Sequence, residues 1–470
     1  MNSQPPSTGD QDAAKQSARR YQLIGPSDQG GFEDLLSGKN DRESRQRLQA
    51  LIAEWLRMEN VVVLTGAGCS HSSGGKLLNP LELAVSDTVL ALPATPAPIA
   101  DLLRERQTKS KDQTAWSNSG FEDWLTYLAN AAHLASASQS PFSGLQWKAK
   151  SKPSADELIA LVGNLGRAII AECTLRLPVP EDSTAASIPP HLAFLSKLVV
   201  RDSNLGRTHL FTLNYDTLFE QAMELLGIQY FDGFTGRADA RFDPSVYGLD
   251  IYYPGEVAEG RVRRFDKFLH YYKLHGSIHW FVSDGELRAR HPDLREYSGY
   301  QKLSPAEKAT KLAAQTRAVD GAGILPTANK FVQTLSMPFA HLFRSFQIRL
   351  SAPQTFLLVL GYGFGDDHVT RIIETALMNP SLVMLVVEPN PHSPTIPRIR
   401  RYKDLGKRAF LLTATEEAFK SEPFEAANFD DFAKNIMPDV QWLDDFMRLR
   451  RFEKQVLSTV DDSLTGFLKP

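Results

Sequence analysis

A chain of 470 residues, 42% apolar and 23% charged, has the composition of an ordinary globular protein with a large core. Its formal net charge of -3 excludes a broad electrostatic grip on nucleic acid, and no apolar run approaches the roughly 18 residues of a membrane span. Two cysteines, Cys69 and Cys173, exclude a disulfide framework and a structural zinc site built from three or four cysteines.

Residues 1–20 are rich in Ser, Gln, Pro and Asp and hold no apolar segment to act as a secretory signal, so a cytoplasmic protein with a flexible tail over 1–40 is expected. Leu48, Leu51, Ile52, Trp55 and Leu56 keep helical spacing and predict an amphipathic helix over 41–57. It feeds Val61-Val62-Val63-Leu64-Thr65, an apolar strand that runs into Gly66-Ala67-Gly68-Cys69-Ser70. Glycine lets backbone approach a ligand closely, and free N–H groups at a helix start favour a phosphate. The dinucleotide fingerprint wants a third glycine where His71 stands and an acidic residue about 20 positions on, near Asp87, so this turn is a weak signal by itself.

Residues 90–100 carry three prolines and read as a loop. Helices are predicted from Phe121, over 156–177 and over 190–200, a helical insertion at 100–205. The strand over 208–213 is then broken by Asn214-Tyr215-Asp216 ahead of a helix over 217–226. Polar residues at the carboxyl end of a buried strand sit where open α/β sheets bind ligands. Asp216 has a second reading as a helix N-cap, which leaves Asn214 unexplained.

From 232 to 270 the helical periodicity is lost, giving a loop-rich or hairpin insertion. It ends in Tyr271-Tyr272-Lys273-Leu274-His275-Gly276-Ser277, where His275 is held at a bend between short strands. A helix over 334–350 leads to the buried strand 355–360, the turn Gly361-Tyr362-Gly363-Phe364-Gly365-Asp366 and a helix over 369–377. A third such strand, 382–387, closes in Glu388-Pro389-Asn390, and 410–412 adds another. Phe429, Phe432, Ile436, Val440, Leu443, Phe446 and Met447 begin an apolar helical pattern over 424–460 that needs a cover, either the domain's flank or a partner chain. The expected fold is α/β, a Rossmann-like parallel sheet with flanking helices plus helical and loop-rich insertions. The main domain spans 41–414, and 415–470 is a helical segment for packing or oligomerisation.

Taken together, these motifs resemble the sirtuin superfamily, and more closely its sirtuin-like branch in bacterial anti-phage defence. The resemblance rests on Gly66-Ala67-Gly68-Cys69-Ser70, Thr212-Leu213-Asn214-Tyr215-Asp216, Lys273-Leu274-His275-Gly276-Ser277 with Trp280, Pro326 with Lys330, and Gly361-Tyr362-Gly363-Phe364-Gly365-Asp366, in the family's order. It implies NAD as the bound substrate. Gly66, Ala67, Gly68 and Ser70 would line the pyrophosphate side, Asn214 and Asp216 the nicotinamide ribose, with His275 and Gly276 beside it. Gly361, Gly363 and Asp366, with Glu388 or Asn390, would hold the adenosine half.

Two departures bear on the reaction. The four-cysteine zinc module of sirtuin deacylases is missing, so no zinc is expected, and Ser72-Ser73-Gly74-Gly75-Lys76 replaces the aspartate-phenylalanine-arginine cofactor loop. Both weaken the case for an acyl-lysine substrate and leave an NAD-cleaving core. His275 can take a proton at neutral pH, Asn214 can orient water or ribose, and Asp216 can stabilise developing positive charge. The expected activity is NAD glycohydrolysis, gated by self-assembly, by an ATPase of the HerA type or by a phage-derived activator. The alternatives are an NAD-dependent deacylase or ADP-ribosyltransferase, and a non-catalytic NAD or ADP-ribose sensor.

Overall fold

The computed structural model describes residues 19–26, 32–107, 120–138, 153–178, 188–253, 264–314 and 338–439, save 203, 237, 291–293 and 296. The expectations placed on Pro326, Lys330 and the apolar pattern beyond 439 lie outside the described residues.

A nine-stranded sheet organises the chain. Its strands are Tyr21–Pro26 (β1), Phe32–Asp34 (β2), Asn60–Thr65 (β3), His209–Thr212 (β4), Gln229–Phe231 (β5), Phe268–Lys273 (β8), Thr355–Leu360 (β11), Val383–Val387 (β12) and Ala409–Ala414 (β13). The spatial order is β2-β1-β13-β12-β11-β3-β4-β8-β5, and the seven strands from β13 to β5 run parallel. Strands buried on both faces read as continuous apolar runs, which is why Val61 to Leu64 and Phe356 to Leu360 are fully buried. Successive side chains point to opposite faces, so Val61 and Val63 join one core while Val62 and Leu64 join the other.

Helices cover both faces. Asp41–Leu56 (α1), capped by the Asn40 and Glu43 side chains, packs on the Val61 face. Four helices lie apart from the sheet: Leu78–Leu90 (α2), Ala97–Gln107 (α3), Phe121–Ser138 (α4) and Ala155–Cys173 (α5). Pro190–Leu198 (α6) and Leu218–Leu226 (α7) return to the Val61 face. Pro305–Ala314 (α8) joins α2 to α5 around a separate core of Leu103, Trp124, Leu165, Tyr300 and Leu312. Phe339–Ser351 (α9), Asp367–Ala376 (α10) and Thr395–Asp404 (α11) cover the Val62 face. Glu416–Ser421 (α12) and Phe429–Asp431 (α13) close the described chain.

Three expectations need correction. Residues 21–34 are strands, not tail: β1 pairs antiparallel with β13, Tyr21 opposite Ala414, and this pairing covers the sheet edge. The helical insertion begins at Leu78 and excludes α6; only 91–96 of the proline-rich stretch is loop, since the prolines at 96 and 98 sit before or in the first turn of α3, where the missing N–H is harmless. Within the loop-rich segment, Phe234–Thr235 (β6) and Ala240–Phe242 (β7) pair with Trp280–Ser283 (β9) and Glu286–Ala289 (β10), downstream of the histidine bend, as a second antiparallel sheet. Phe429, Phe432, Ile436 and Met437 are buried within the chain's own first core, and Lys197 on α6 caps the carbonyls of Ala433, Lys434 and Met437 at 2.8–3.1 Å.

Candidate active site

Leu360, Thr65, Thr212 and Lys273 stand in register across β11, β3, β4 and β8, so the residues that follow them leave the sheet along one edge. The chain order reverses between β3 and β11, and a crevice at the carboxyl ends beside such a reversal is where open α/β sheets take ligands.

The two glycine turns interlock there. Gly66 N donates to Leu360 O at 2.9 Å and Gly68 N to Gly361 O at 3.0 Å. A Cβ on Gly66 would stand 2.6 Å from Gly361 O, and one on Gly361, whose φ is +62°, would stand 2.6 Å from Cys69 N. These glycines are therefore required by backbone-to-backbone packing of β3 and β11, whatever the ligand. Gly363 differs, because a Cβ there would meet nothing within 4 Å. The helix after the first turn is a 3-10 helix, Ala67–Ser73, ended by Gly74 at φ +88°. Cys69 inside it is fully buried with its thiol pKa pushed up by burial, which leaves it a neutral thiol rather than a nucleophile.

Ser70 is the first candidate side chain of this turn. Its Oγ donates to Asp216 Oδ2 at 2.6 Å and accepts from Asn214 Nδ2 at 2.9 Å, joining segments 146 residues apart. Asp216 Oδ1 accepts from Leu218 N at 3.1 Å, so this residue both opens α7 and ends the Asn214–Ser70–Asp216 chain. All three are less than 9% exposed. Asn214 Oδ1 takes no hydrogen bond among the described residues, leaving an oriented acceptor for a ligand hydroxyl or a water.

His275 sits just past β8. Gly276 at φ +82° turns the chain, Ile278 N and Ser277 Oγ bond Tyr215 O at 3.0 and 3.3 Å, and the His275 and Tyr215 rings lie 6.3 Å apart. The loops after β4 and β8 are thus one tied unit. His275 Nε2 lies 2.9 Å from Asp366 Oδ2, both side chains under 10% exposed. Asp366 itself caps α10, its Oδ1 accepting from His368 N at 2.9 Å and Val369 N at 3.3 Å.

Sequence reasoning missed what lies beneath. Lys273, 2% exposed, donates to Glu220 Oε1 at 2.7 Å and to the Asp216 carbonyl, while Tyr271 OH donates to Glu220 Oε2 at 2.9 Å. Burial pushes the Glu220 carboxyl up, against the pull of Lys273. A lysine closing an apolar strand, and a glutamate one turn after Asp216, were the available signals. Glu388 and Asn390 follow β12 and are not joined to this cluster. The Glu388 oxygens accept from Asn390 N at 3.1 Å and Ser393 Oγ at 2.9 Å, and Asn390 Oδ1 accepts from His392 N at 2.9 Å.

Residues 208–406 match a SIR2-like domain. The match supports kinship with the sirtuin-like superfamily, whose SIR2-like domains use NAD, and it contains Asn214, Asp216, His275, Gly361 and Asp366. The Gly66–Ser70 turn precedes the matched SIR2-like segment in sequence, yet Ser70 closes its polar chain. No curated protein matches the chain. Among the described residues, no three His, Cys, Asp or Glu side chains gather as metal ligands, and no helix is long and apolar enough to cross a membrane. The acceptor of Asn214, the histidine and the unobstructed Gly363 all follow strands at the carboxyl end of the sheet.

Proposed function

We propose that this protein is an NAD glycohydrolase, releasing nicotinamide and ADP-ribose. The observation that carries the reading is the buried Asn214–Ser70–Asp216 chain beside His275 at the carboxyl edge of the sheet. Breaking the nicotinamide glycosidic bond leaves an oxocarbenium-like ribose, so the site must orient the ribose, supply a base and tolerate positive charge. Asn214 Oδ1 orients the ribose or the attacking water, held in place by its donation to Ser70. The Asp216 carboxylate stabilises developing positive charge, and His275 takes the proton as water adds at the ribose carbon. NAD and water thereby give nicotinamide, ADP-ribose and one proton.

The reading extends to an effector of anti-phage defence that depletes NAD once triggered, by self-assembly, a HerA-type ATPase or a phage-derived activator. This extension rests on the resemblance of the motifs. Deleting residues 440–470 leaves Met437 and its packing in place and should change the concentration dependence of turnover if that segment carries assembly.

The deciding experiment measures nicotinamide and ADP-ribose released from NAD by wild type, His275→Ala and Asn214→Ala, with no peptide present. Release by wild type alone is expected. Release that requires an acylated peptide would favour a deacylase instead, and saturable NAD binding with no turnover in any state would favour a sensor.

A further inference from the structure

We propose that Asp366 is the positioning residue for His275, holding the ring by its Nε2 so that Nδ1 faces the reacting ribose as the base. The inference rests on the hydrolase reading for the role of His275. Two residues from opposite sides of the reversal point meet here, His275 after β8 and Asp366 after β11, with β4 and β3 between them.

A ring nitrogen 2.9 Å from a carboxylate oxygen must carry a proton, because two lone pairs would repel at that distance. Nε2 is then the protonated nitrogen and Nδ1 the basic one. Asp366 is itself held firmly: Oδ1 receives two backbone N–H groups of α10, and its carbonyl receives the Tyr362 hydroxyl at 2.9 Å. The Tyr215 ring meets His275 from the loop after β4. A carboxylate engaged at both oxygens is poorly placed to hold a ribose. Asp366 thus acts through the histidine rather than as the cofactor contact its motif suggested.

The test compares Asp366→Asn and Asp366→Ser with wild type in the full chain. Either residue keeps an oxygen that can cap α10, so melting curves should change little. The expected result is a kcat lowered roughly 10²- to 10⁴-fold, the scale of general acid–base catalysis, with KM largely retained. The acid limb of kcat/KM should also move to lower pH, since removing an adjacent negative charge lowers the histidine pKa. A risen KM with an unmoved acid limb would make Asp366 an NAD contact and overturn the proposal. Full turnover in His275→Ala would instead sink the role of His275 in the hydrolase reading. Independently of turnover, 15N-histidine spectra, assigned with His275→Ala, should show Nε2 protonated in the neutral wild-type ring; an Nδ1-protonated ring would refute the dyad outright.

Discussion

β4 and β8 lie side by side, and each places a polar residue near both of its ends. Near the start, His209 and His270 sit opposite each other and stack with centroids 4.9 Å apart and planes 9° apart. His209 Nδ1 contacts Tyr272 OH at 3.1 Å, Phe231 and Phe268 pack around His270, and among the described residues no carboxylate is hydrogen-bonded to either ring. Burial keeps both rings neutral, lowering His270 to about 4 and His209 well below its ordinary value. Past the other end, His275 meets Asp366 and Asn214 meets Ser70. The same residue type is packing at one end and, on the hydrolase reading, chemistry at the other. What differs is whether the strand ends against apolar side chains or opens among charged loops at the chain reversal.

The sharpest way to break this contrast is to change one histidine at each end. His275→Ala should lower nicotinamide release roughly 10²- to 10⁴-fold, while His270→Phe, which removes no hydrogen bond among the described residues, should leave turnover near wild type. Equal losses from both would show that stability, not position, governs activity.

Beneath the candidate site, Lys273→Met leaves Glu220 charged, buried and without its ammonium partner, and should cost about 3–5 kcal/mol. Urea unfolding measures this, and a loss under about 1 kcal/mol would mean that Glu220 simply protonates. Gly361→Ala comes next, at about 2–4 kcal/mol, from a left-handed φ and a Cβ driven into the Cys69 amide. Gly363→Ala should stay within about 0.5 kcal/mol, having open space around it. If it nevertheless raises KM for NAD, Gly363 lines the ligand path.

The stacked histidines add a pH response. A histidine whose pKa is lowered on folding binds fewer protons folded than unfolded, so stability rises with pH between the two values. The native state should therefore weaken as pH falls from about 6.5 toward 4, by up to about 1.4 kcal/mol per unit for each buried ring. His270→Phe should flatten that part of a melting-temperature profile; an unchanged slope would place the titration elsewhere.

Much of the fold was legible in residue order alone. The continuous apolar runs at β3, β11 and β12 announce a parallel sheet covered on both faces, and each breaks into polar or glycine residues at its carboxyl end. Asn214 and His275 stand out in the sequence because a buried core calls for neither there, whereas Asp216 also reads as a helix N-cap. The strand β1 was not legible, since its apolar residues are too few to read as a strand and are buried only once it pairs between β2 and β13 and joins the two cores. The helices α2 and α3 were hidden by prolines that a first turn tolerates.

Local sequence thus determined which segments become strands, where they stop and which side chains stand at the stops, because periodicity and turn chemistry act over a few residues. Only the tertiary structure decided who meets whom. The bond from Ser70 to Asp216, the contact of His275 with Asp366 and the interlock of Gly66 with Gly361 each join residues far apart in the chain. Their distances follow from strand order and register, which long-range packing of both faces of the sheet sets.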